Sequence, residues 1–170
     1  LGASVNGERV LVPNYDQIEQ TGLDLKATTG RWIWKLDLIN RQNPLDSYIA
    51  WTAGLQYNRK RVFKSKKDLA ILVEYMYDDR NDPSKTVFER DIFLAAILKF
   101  NNPSSTAVIA SYYIDEDSDE RIYKFEIRRK LGKSSKLSAE ALVVSNAEVP
   151  SPLYNLRRDS YLRVKFTKQF

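Results

Sequence analysis

The sequence predicts an all-β protein, an antiparallel up-and-down meander of about 8–10 strands forming a transmembrane β-barrel or part of a larger one. Two observations carry this expectation. Apolar and charged residues alternate with a period of two through nine segments, and no segment of comparable size has helical periodicity. The connections alternate too: short ones fall at one end of the meander and longer, polar ones at the other, as membrane barrels require.

The segments lie roughly at 17–28, 31–40, 47–58, 68–78, 88–100, 105–114, 121–131, 136–145 and 160–170. The first carries Asp24 and Lys26 on its polar parity. In the second, RWIWKLDLIN, Trp32, Trp34, Leu36 and Leu38 share one face, while Lys35 and Asp37 share the other. In DLAILVEYMYD, Leu69, Ile71, Val73, Tyr75 and Tyr77 oppose Glu74 and Asp78. In DIFLAAILKF, Ile92, Leu94, Ala96, Leu98 and Phe100 oppose Asp91 and Lys99. In YKFEIRRKL, Phe125 and Ile127 oppose Lys124, Glu126 and Arg128, and the next segment contributes Glu140. The last, SYLRVKFTKQF, sets Leu162, Val164, Phe166 and Phe170 against Arg163 and Lys165.

Short connections fall near 28–30, 101–105 and 131–136, and long ones near 40–46, 78–87, 115–120 and 146–159. The basic stretch RKRVFKSKK (59–67) is an exception, a long connection where a short one is due. Aromatic residues sort to the two ends: Trp32, Trp34, Phe100 and Phe170 beside short turns, Tyr48, Tyr75, Tyr77, Phe88 and Tyr161 toward the long loops. That is the layout of two membrane girdles.

Composition narrows the chemistry. The chain has 170 residues, neither Cys nor His, and a formal charge of +5. Without Cys there are no disulfides or thiolate metal sites. Without His, the usual general base and the commonest metal ligand are missing. The expectation is therefore no enzyme, no cofactor and no metal. No run approaches the ~18 apolar residues of a membrane helix, and residues 1–15 do not read as a leader with a charged start and an apolar stretch.

The final YLRVKFTKQF resembles the C-terminal strand of bacterial outer-membrane β-barrels, which ends in Phe after alternating apolar positions. Leu162, Val164, Phe166 and Phe170 fit this assembly signal, and Lys168 departs from it. The resemblance implies a Gram-negative outer-membrane location and contacts with membrane lipid and the assembly machinery that reads the last strand. More loosely, YDQIEQTGLDLKATTGRWIWKLDLI, DLAILVEYMYDDR and PLYNLRRDSYL look like the C-terminal part of larger porin-like proteins with no assigned activity. Strand parity bears on the same point. Nine strands leave the two ends on opposite sides, whereas bacterial single-chain barrels are even-numbered. Either ERVLVP (8–13) supplies a tenth strand or the barrel has further strands upstream.

Under this reading Asp24, Lys26, Lys35, Asp37, Glu74, Lys99, Lys124, Glu126, Arg128, Glu140, Arg163 and Lys165 face the lumen. They form a paired network in a narrow barrel, or line a mildly anion-favouring transport path for small solutes or ions in a wide one. Reactive carboxylates are the third and weakest reading. The run 59–67 is a solvated loop or, as a functional patch, one for nucleic acid or anionic lipid head groups; no nucleic-acid partner is expected. DEDSDE (115–120) lacks the glycine and spacing of a helix–loop–helix calcium site and reads as a loop. The alternative to a membrane barrel is a soluble, lipocalin-like β-barrel that turns the same apolar face inward around a small apolar ligand.

Overall fold

Each connection returns the chain beside the strand it has just left, so neighbours in sequence become antiparallel neighbours in space. In the structure, a computed structural model, residues 2–5, 8–11, 17–44, 46–80, 86, 89–149 and 151–169 are described. Strands β1 (Gly2–Val5) and β2 (Glu8–Leu11) form a separate two-stranded sheet. Nine strands make the main sheet in unbroken sequence order: β3 (Glu19–Thr29), β4 (Trp32–Gln42), β5 (Ser47–Val62), β6 (Lys67–Asp78), β7 (Arg90–Lys99), β8 (Ala107–Asp115), β9 (Arg121–Leu131), β10 (Ser135–Ser145) and β11 (Tyr161–Lys168). Among the described residues there is no α-helix, only a 3-10 segment at Pro152–Leu156.

The main sheet is open. Among the described residues β3 pairs only with β4 and β11 only with β10, so the predicted barrel is not closed. The proposed tenth strand at 8–13 is in part a strand, but β2 pairs with β1 rather than with β3; residues 12 and 13 lie outside the described residues.

The contrast in connection length is weaker than the sequence suggested. One end, here the turn end, holds 30–31, 63–66, 100–106 and 132–134; the other, the loop end, holds 43–46, 79–89, 116–120 and 146–160. The exception at 59–67 disappears because β5 runs through it. A register shift between Arg59 and Val62 marks a bulge, with Arg61 at φ 55 and its N–H donating to Asp68 Oδ1 at 3.0 Å. Only 63–66 is left as a turn. In turn, 43–46 and 116–120 are no longer than 100–106, because β4 reaches Gln42 and β8 reaches Asp115. At the tightest turn Gly30 adopts φ 63, which a two-residue hairpin loop demands and a side chain would strain.

Tyr113, Val144, Ala147 and Leu153 form a buried cluster with Met76, Phe93, Ile122 and Leu142 against it. The 3-10 segment supplies Leu153. Ser151 holds that segment's start by accepting the Leu153 N–H at 3.0 Å. The connection 146–160 thus packs back over one face of the sheet near the loop end.

Candidate functional site

The registers place apolar side chains in continuous rows across the sheet. One row runs Ala27, Trp34, Leu55, Val73, Leu94, Tyr112, Tyr123 and Val143. The next runs Trp32, Tyr57, Ile71, Ala96, Ala110, Phe125, Ala141 and Leu162. This face is open: Trp34 is 51% exposed, Val73 43% and Val164 67%. Among the described residues of the nine strands, no charged side chain interrupts it. Charges appear only where the rows stop, at Arg59, Lys67, Arg129 and Lys168 on the turn end and Glu19, Arg90 and Arg121 on the loop end.

Aromatic pairs mark the margins of this apolar face. Trp32 meets Tyr57 with centroids 4.6 Å apart at the turn end, where Lys67 Nζ also lies 4.8 Å over the Phe100 ring. Toward the loop end, Trp51 lies 5.5 Å from Tyr75 and 5.6 Å from Tyr77, and Tyr112 stacks on Tyr123 at 4.8 Å. Of the expected girdle residues, Trp32, Trp34, Tyr75, Tyr77 and Phe100 stand on this face. Tyr161 and Tyr48 do not: Tyr161 pairs with Leu142 on the opposite parity and its hydroxyl donates to Glu140, while Tyr48 pairs with Arg41 on the charged face; Phe88 lies outside the described residues. Leu162, Val164 and Phe166 share the apolar face, and Phe170 lies outside the described residues.

All twelve charged residues expected on one face do share it. Lys35 Nζ meets Glu74 Oε1 at 3.1 Å, although β5 lies between their strands. Gly54 is the residue between them, and a Cβ there would come within 2.9 Å of Glu74 Cγ. The missing side chain is the notch that lets Glu74 lie across β5 to the lysine. Farther along, Glu140 is held by Lys124 at 3.2 Å and Arg163 at 2.8 Å, while Glu126 meets Arg128 at 2.9 Å. These cations offset the direct opposition of Glu126 and Glu140 across β9 and β10. Asp24, Lys26, Asp37, Lys99 and Lys165 make no ion pair among the described residues. Asp24 faces Asp37 and Lys26 faces Lys35, so like charges oppose at this edge.

The sequence reading missed a buried polar group at the loop end. Asp91 is fully buried and accepts the Tyr113 hydroxyl, while its Oδ2 has no hydrogen-bond partner. Glu120 is 2% exposed, and burial pushes its carboxyl above the usual range, with a hydrogen bond from Ser151 opposing the rise. Arg80 donates to Asp78 at 2.8 and 3.0 Å and caps the Tyr48 ring at 4.1 Å. Alternation alone marked Asp91 as polar, but its burial beside Tyr113 appears only in the packed sheet. Within DEDSDE, Asp115 Oδ1 accepts the N–H groups of Asp117 at 2.7 Å and Ser118 at 3.1 Å, which shapes the turn. No cluster of carboxylates among the described residues could hold a metal.

Comparison with models of known protein families, with curated proteins and with solved structures finds no match for the chain.

Proposed function

We propose that this chain is an outer-membrane β-barrel protein, porin-like or structural, or the C-terminal portion of a larger barrel. Its apolar face meets lipid and its charged face lines a lumen. The observation carrying this reading is the uninterrupted apolar face with charges only at its margins. Strand β10 spans Ser135–Ser145. At ~3.3 Å per residue that is ~33 Å, which a tilt of ~40° reduces to ~25 Å along the bilayer normal, the height of a barrel's apolar band. Exposing such a surface to water would cost heavily and invite aggregation, whereas lipid accepts it.

The soluble, ligand-binding alternative needs the apolar face turned toward a core. Here the covered cluster of Tyr113, Val144 and Leu153 lies on the charged face instead, which favours the membrane reading. The test is refolding into lipid vesicles. A heat-modifiable, urea-resistant band that resists alkaline extraction is expected. A chain that folds cooperatively in buffer without detergent or lipid, and ignores vesicles, would overturn the proposal in favour of the soluble barrel.

A further inference from the structure

The two ends of the sheet carry opposite charge. At the turn end, the β5–β6 hairpin carries Arg59, Lys64 and Lys67 and the β9–β10 hairpin carries Arg129, Lys130 and Lys133, with Asp68 the one acid in the turn segments 59–68 and 128–136. Asp68 is itself engaged by the Arg61 N–H at 3.0 Å. The loop end holds the acids, among them Asp78, Asp91, Asp115 and Glu120. The basic hairpins, far apart in sequence, are aligned only because β5 to β10 pair in order.

We propose that the turn end is a docking surface for the anionic head groups of membrane phospholipid. The assignment rests on the barrel reading and adds the lipid class and the end of the protein that meets it. Three features favour lipid over another polyanion. Arg59, Lys67 and Arg129 share the parity of the apolar face and stand next to Tyr57, Leu69 and Ile127, where the rows stop. A phospholipid presents its phosphate directly above its acyl chains, so apolar rows ending in bases match both its parts. Lys67 lies along the Phe100 ring at 4.8 Å, as a snorkelling lysine does at an interface. And Phe63 is 78% exposed at the tip of the basic hairpin, at φ 54 between Val62 and Lys64. An aromatic held outward among cations has little to gain in water, and suits the head-group layer.

The experiment measures flotation of the full chain with vesicles of phosphatidylcholine, alone or mixed with phosphatidylglycerol, at low and high salt. Anionic vesicles should bind tighter at low salt, by about five-fold per engaged base, and the gain should shrink as salt screens it. K64Q/K133Q should lose most of the gain and keep the parent's binding to neutral vesicles; R41Q/R158Q, at the loop end, should keep the gain. Equal binding to both vesicle types, or equal loss in both double variants, overturns the proposal. So does displacement by soluble DNA as effective as that by anionic lipid, which would mark a general polyanion surface. Protease protection separates the two readings. A chain protected equally in neutral and anionic vesicles sustains the barrel and sinks the head-group site. A chain that floats only with anionic vesicles, in a K64- and K133-dependent way, but stays fully protease-sensitive sustains the site and sinks the barrel.

Discussion

The two faces of the main sheet are made by the same nine strands and follow different rules. The apolar face is uniform: its rows pass from Trp32 on β4 to Leu162 on β11 without a charge. The charged face is particular: it needs Gly54 beneath Glu74, and both Lys124 and Arg163 around Glu140. A surface whose surroundings offer no polar partner must exclude charge everywhere, whereas a surface that carries charge must arrange each one. The first rule is a composition rule, the second a geometric one.

The largest test of that contrast is a charge placed in the middle of each face. Leu94→Arg should destabilise the vesicle-inserted protein by about 2–4 kcal/mol, the midplane cost of arginine on a barrel's lipid face. Thr52→Arg puts the same side chain on the charged face opposite Asp37, and should change stability by no more than about 1 kcal/mol. Urea titration in vesicles measures both. Similar losses for the two would erase the distinction between the faces.

Next comes the notch. Gly54→Ala drives a methyl into Glu74 Cγ and should cost about 1–3 kcal/mol through overpacking and displacement of the Lys35 pair. Trimming the neighbour relieves it, so G54A/E74A should be less destabilised than the sum of the single variants. Additive effects would mean that Gly54 serves some purpose other than clearance.

These tests also mark what could be read from the sequence. Alternation located all nine strands of the main sheet within a few residues, and grouped the twelve charges on one face of it, because strand parity is a local property. The bulge at Arg61 was not legible, since it depends on Asp68 coming round from the next strand to accept an N–H. β5 therefore runs on to Val62, through a stretch whose basic composition suits a loop. Tyr161 misled because aromatic type outweighed parity: its neighbours Leu162 and Val164 had already fixed it on the charged side. The role of Gly54 was equally hidden, as it appears only when Lys35 and Glu74 are set on either side of it.

A smaller effect is expected at Glu120, under the 146–160 connection. Burial raises its carboxyl pKa in the folded protein, with the Asp115 charge adding to the rise, while Ser151 and the Glu148 backbone oppose it. A carboxyl raised on folding favours the folded state while protonated, and that contribution is lost as pH rises through the folded value. Glu120→Gln should therefore stabilise the protein at pH 8, match the parent well below the unfolded carboxylate range, and flatten the profile between. Thermal unfolding across pH reads the difference, and a variant less stable than the parent at pH 8 would mean that the ionised carboxylate is satisfied in place.

The smallest effect concerns what the charged face does if the proposed barrel closes around an open lumen. Of the twelve charges expected to face the lumen, Lys26, Lys35, Lys99, Lys124, Arg128, Arg163 and Lys165 are basic, and Asp24, Asp37, Glu74, Glu126 and Glu140 are acidic. Pairing consumes Lys35 with Glu74 and Arg128 with Glu126, and gives Glu140 two cations. The remainder still leans positive, with Lys26, Lys99 and Lys165 against Asp24 and Asp37. A lumen of one prevailing sign concentrates the opposite ion, so anions should pass more readily, but by a ratio of only about two, equivalent to ~0.4 kcal/mol. Reversal potentials across a planar bilayer under a salt gradient measure it, and the preference should fade toward 1 M salt, where the Debye length falls to ~3 Å. Changing Lys26 and Lys165 to Glu removes bases that hold no ion pair among the described residues, so it should invert selectivity while leaving the Lys35–Glu74 and Glu140 contacts in place. Cation preference in the parent would mean that the acids at the loop end, not the charges on the face, set the field an entering ion meets.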